Sequence, residues 1–151
     1  MEMLGILTPI CAVAALIVAY ALSSWIAKLD EGNDRMIEIS GYIRMGAMAF
    51  LKREYRYMAV VIVLVFVLLG VATDWLTAGL YVFGAVFSVL AGYFGMTVAT
   101  KGNVRTANAA RGGSMSKALK VAFRSGAVMG LSVVGLGTLG LGIIFVVMGV
   151  D

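Results

Sequence analysis

The chain has 151 residues, 62% of them apolar and only 13% charged, with a mean hydropathy of +1.00, a balance that excludes an ordinary water-soluble domain. The net charge is +4 and there is no histidine, which removes imidazole as a metal ligand, general base or near-neutral proton relay. One cysteine, Cys11, rules out a disulfide within the chain.

The first element is a charge-free run from Met3 to Ala27. It lacks a basic segment at its start and is too long for a secretory signal, so it is expected to remain as a membrane span over about residues 4–26. Small residues recur every four positions along it, at Cys11, Ala15, Ala19, Ser23 and Ala27, a spacing that lets a neighbouring backbone come close. The segment Asp30-Glu31-Gly32-Asn33-Asp34 then reads as a turn with helix-starting residues. Beyond it, Ile39, Ile43, Phe50 and Leu51 fall at mostly helical spacing. A single long helix is therefore expected from about Met36 through the second charge-free run, Tyr57–Thr73. Lys52, Arg53 and Arg56 mark where this helix leaves the hydrocarbon, their stems snorkelling toward the headgroups. Tyr55, Tyr57 and Trp75 suit an interfacial aromatic belt.

Asp74 alone separates the second span from the third, and it is expected to be a helix boundary or cap. The third span covers about 76–100 and repeats small residues at Gly84, Ser88 and Gly92. Lys101–Arg124 follows as a loop with six bases and no acid. Such a loop can attract phosphate-bearing ligands or anionic lipid, although positive-inside bias alone accounts for it. Its Gly112-Gly113-Ser114-Met115-Ser116-Lys117 stretch lacks the Gly-Lys-Ser/Thr ending of a phosphate-binding loop, and no strand precedes it. The fourth span, about 125–149, carries Gly126 and Gly130 and a denser glycine run that includes Gly135, Gly140, Gly142 and Gly149.

All twelve bases lie in the two connections that follow spans one and three, whereas Glu2, Asp74 and Asp151 mark the opposite side. Positive-inside bias then gives an all-α membrane protein of four spans with both termini outside and the second helix extended into the cytoplasm. None of the charge-free runs contains Asp or Glu, so the chain has no intramembrane carboxylate with which to carry a proton by itself. The acids do not recur along one helical face, and no residue qualifies as a catalytic, cofactor-binding or metal-ligating group. The net charge sits on membrane boundaries, so no nucleic-acid partner is expected.

Three stretches carry a family resemblance: Gly46-Ala-Met-Ala-Phe-Leu-Lys-Arg-Glu-Tyr55; Gly92-Tyr-Phe-Gly-Met-Thr-Val-Ala-Thr100 running into Asn103-Val-Arg-Thr-Ala-Asn-Ala-Ala-Arg111; and Ala122-Phe-Arg-Ser-Gly-Ala-Val-Met-Gly130. Together they resemble the N-terminal part of the membrane-bound inorganic pyrophosphatases, pumps that couple pyrophosphate hydrolysis to H⁺ or Na⁺ movement. Lys101-Gly102 departs slightly from the family pattern. The resemblance implies a homodimer in a prokaryotic cell membrane, with pyrophosphate as substrate, Mg²⁺ as cofactor and K⁺ as a further candidate. It also implies about sixteen spans, each of bilayer length, with this chain matching the first four, which belong to the outer ring. The family's catalytic motifs begin on the fifth and sixth spans, so none transfers to a position here, and the 151 residues alone are expected to be inactive without the remaining helices of the pump. The alternative is a free-standing four-helix structural or accessory membrane protein.

Overall fold

A computed structural model describes residues 2–148, with side chains from Leu7 to Met148; Gly149, Asp151 and the expected end of the fourth span at 149 lie outside the described residues. Four helices account for nearly all of it: α1 (Glu2–Ala27), α2 (Asp34–Ala72), α3 (Trp75–Arg111) and α4 (Met115–Met148). Each is long and apolar enough to cross a membrane. With 39 residues, α2 reaches about 58 Å, nearly twice the ~30 Å hydrocarbon core.

Local chemistry sets the ends. Asn33 caps α2, its side-chain oxygen accepting from the Met36 N–H at 2.9 Å, and Asp34 places a negative charge in the first turn. Asp74 caps α3 as expected: Oδ1 accepts from the Thr77 N–H at 2.8 Å and Oδ2 from the Thr77 hydroxyl at 2.7 Å. Two hydrogen bonds from Thr77 to one carboxylate hold Asp74 below its ordinary pKa, the backbone N–H contributing most. At the other end α3 stops where Gly113 adopts φ +77°, a conformation that favours glycine. Ser114 then accepts from the Lys117 N–H at 3.3 Å and starts α4.

The second basic connection is thus much shorter than its charge pattern suggests. Residues 101–111 continue α3 and 115–124 belong to α4, which leaves only Gly112–Ser114 between the helices. The physical reason is that bases end a membrane run without ending a helix. Lys, Arg and the three alanines between Thr106 and Arg111 are compatible with helix, and only the paired glycines interrupt it.

In space the order is α1, α4, α3, α2. Among the described residues the fourth helix packs on both α1 and α3, whereas α2 touches only α3 and α1 meets α3 sparsely. A small core joins the first three of these, built from Ala19 and Ile26 of α1, Val98 of α3 and Val128 of α4, with Leu22, Trp25 and Leu131 against it. Apolar side chains such as Tyr20, Val71 and Val147 point outward, as suits a surface surrounded by hydrocarbon.

Close approach occurs where side chains are absent. A Cβ on Gly135 would lie 2.9 Å from Leu16 and 3.3 Å from the Ala12 carbonyl oxygen, and one on Gly142 would lie 3.2 Å from the Pro9 ring. On the α3–α4 side, a Cβ on Gly95 would meet Met129 at 2.9 Å, and the Ser125 side chain occupies the space a Cβ on Gly102 would need. Across the Asp74 turn, Trp75 lies over Gly70 and stacks obliquely on Phe66, ring centroids 5.7 Å apart.

Candidate functional site

The most heavily bonded side chain is Arg105, in the middle of the Asn-Val-Arg-Thr-Ala-Asn stretch. It is 7% exposed. Its Nε donates to the Leu29 carbonyl at 3.0 Å and one terminal nitrogen to the Ala27 carbonyl at 3.2 Å. The other terminal nitrogen donates to the Lys101 carbonyl at 2.8 Å. Glu31 Oε1 pairs with the guanidinium at 2.7 Å.

The carbonyls at the C-terminal end of α1 have no partner within their own helix, and the helix dipole makes them electronegative. A planar cation with donors fanned in one plane matches several of them at once, which a lysine cannot do. Asn108, three residues on and therefore on the same face, donates to the Asp30 carbonyl at 3.3 Å and to its carboxylate at 3.2 Å. Asp30 in turn accepts from the Gly32 N–H at 3.1 Å. Gly32 has φ +95°, and a Cβ there would fall 2.9 Å from Asn108. Arg105 and Asn108 thus clamp the 28–33 connection onto α3, registering α1 and α2 although those two helices do not touch.

This clamp consumes the donors that a phosphate would otherwise claim. The carboxylates nearby are equally engaged: Glu31 by Arg105, Asp30 by Asn108 and Gly32, and Glu38 by Arg35 at 2.7 Å. Among the described residues no three His, Cys, Asp or Glu side chains converge as a metal site.

The small residues singled out from the sequence are dispersed by the fold. Ala19 is in the core, and Ala15 and Ser23 are half-buried on α1. Gly84, Ser88 and Gly92 line a 450 Å³ groove between α3 and α4, with Gly84 and Ser88 exposed and Gly92 facing the Tyr55 hydroxyl. Gly126 borders a 570 Å³ groove, and a Cβ on Gly130 would meet open space. Sequence reasoning missed the parts played by Arg105, Asn108, Gly95 and Gly102. The available signal was an arginine and an asparagine three apart in an alanine-rich helix.

Four long apolar helices with their charges gathered at the ends define a multi-pass α-helical membrane protein. The sequence model of the family described as "Inorganic H+ pyrophosphatase" matches residues 13–150, and the chain belongs to that family. A Clostridium tetani relative, whose name places it among the K⁺-stimulated pyrophosphate-energized sodium pumps, is 54% identical over 131 residues, covering 87% of this chain and 19% of the relative. The K⁺-insensitive pyrophosphate-energized proton pump of Methanosarcina mazei is 43% identical over 152 residues, covering 99% and 22%. The K⁺-stimulated pyrophosphate-energized sodium pump of Thermotoga maritima is 44% identical over 125 residues, covering 82% and 17%. The chain therefore spans about a fifth of the length of these relatives.

Proposed function

We propose that these helices form the N-terminal, outer-ring portion of a membrane-bound pyrophosphatase that couples pyrophosphate hydrolysis to H⁺ or Na⁺ translocation. The observation that carries the reading is the match across residues 13–150 to a family whose relatives are named as such pumps. On this reading both termini lie outside, and the basic ends of α2, α3 and α4 protrude into the cytoplasm. Mg²⁺ and pyrophosphate are bound by helices other than these four, and K⁺ dependence resides there too. The exposed faces around Gly84, Ser88, Gly126 and Gly130 are where further helices pack, and the complete pump works as a homodimer. The Arg105 clamp then serves assembly, holding α1, α2 and α3 in register so that the catalytic helices find a fixed wall.

A chimera tests this. The matching region of the Clostridium tetani relative is replaced by this chain, and pyrophosphate-dependent ion uptake is measured in membrane vesicles. We expect hydrolysis and uptake to be retained, whereas the 151 residues alone hydrolyse no pyrophosphate above background. A chimera that folds and assembles at wild-type levels but neither hydrolyses nor transports would defeat the reading.

A further inference from the structure

The cleft between α1 and α3, floored by α4, has a composition that none of the packing arguments above uses. Its volume is 380 Å³, within the range of about 300–1,000 Å³ found for small-molecule sites.

Its lining changes character along its length. Leu16 and Phe94 form an apolar stretch, Thr97 and Ser132 add hydroxyls, and Ser23 and Lys101 stand toward the basic end. Lys101 is the first charge after the Trp75–Thr100 run, so it marks the level where hydrocarbon gives way to headgroups. Thr97 and Lys101 are four apart on one helix face, and the Thr97 hydroxyl is buried with no hydrogen-bond partner among the described residues.

Charge points the same way. The Lys101 side chain makes no ion pair or hydrogen bond among the described residues, and Glu31 and Asp30 are held by Arg105 and Asn108. Arg124, from the adjoining turn of α4, has no carboxylate either and rests 4.1 Å above the Trp25 ring. A half-buried cation without a counter-charge and an unmet hydroxyl donor one turn from it form the complement of an anion, placed above an apolar slot.

We propose that this cleft binds one anionic phospholipid, its phosphate on Lys101 and its acyl chain along Leu16 and Phe94. The site does not depend on the pump assignment. It needs only that the helices cross a bilayer.

The test uses the 151-residue chain purified in detergent and incubated with phosphatidylglycerol or phosphatidylcholine, with retained lipid counted by native mass spectrometry. Phosphatidylglycerol is expected to be retained in preference to phosphatidylcholine. Lys101→Gln is expected to weaken that retention about fivefold, the worth of one lysine at an anionic surface. Lys117→Gln, in the exposed start of α4, should leave it unchanged, and Thr97→Val should weaken it without changing the chain's thermal midpoint. Equal retention by Lys101→Gln and the parent, equal retention of the two lipids, or no retention by the parent would overturn the proposal. Displacement of the lipid by excess inorganic phosphate would identify a soluble phosphate as the true occupant and overturn it as well.

Discussion

Arg105 shows how one side chain can define a helix junction. Its guanidinium accounts for two carbonyls beyond the reach of α1's own hydrogen bonds and for the single carboxylate of Glu31. Arg105→Ala should lower the stability of the chain in detergent by about 2–3 kcal/mol, the scale of buried hydrogen bonds made by a charged group. Arg105→Lys should recover little of this, because an ammonium cannot reproduce the planar fork. Denaturant titration followed by circular dichroism measures both variants, and full recovery by lysine would show that charge alone suffices. Asp74 gives a prediction in pH. Its pKa is lower in the folded chain than in the unfolded one, so its contribution is complete above the unfolded value and disappears as pH falls through the folded value. Thermal melts should therefore show a falling midpoint on the acid side, and Asp74→Asn, which still caps but does not titrate, should flatten that fall.

Among the helices, glycine position matters more than glycine number. Gly135 and Gly137 lie in the same run of α4, yet only the first has a neighbour in the space of its missing Cβ. Gly135→Leu should push Leu16, and α1 with it, away from α4 and destabilise the chain by about 1–3 kcal/mol, in line with overpacked cores. Gly137→Ala should change little. Comparing the two melts tests the packing directly, and similar losses would mean that backbone freedom rather than contact sets the effect. Four-residue spacing revealed that close packing was present but could not assign it, since each helix carries several such stripes and lipid accepts small residues too. The purpose of the Asn103–Asn108 stretch is not visible in the sequence, because Arg105 finds backbone carbonyls 76 and 78 residues away. Helix existence and the Asp74 cap were legible because they depend on local hydropathy and on residues three apart.

At the scale of the whole chain, the asymmetric charge leads to the proposed orientation. With Cys11 replaced by Ala, cysteines are introduced at Ala72, beside Asp74, and at Arg111. An impermeant maleimide added to intact cells should label the first and spare the second. Labelling of Arg111→Cys from outside would reverse the topology. The spatial order of the helices was not legible, since charge patterns record which side a loop occupies but carry no information on which helices are neighbours.

That order has a bearing on biogenesis. The α2–α3 pair is joined by the short Asp74 turn and can close as soon as both segments are in the bilayer, whereas α1 has its main partner in α4, the last of the four to be made. The earliest helix to enter the membrane must wait through the synthesis of two others before its glycine-matched face is covered. In that interval the Arg105 clamp, available once α3 is complete, holds the 28–33 connection, and with it the end of α1, against α3.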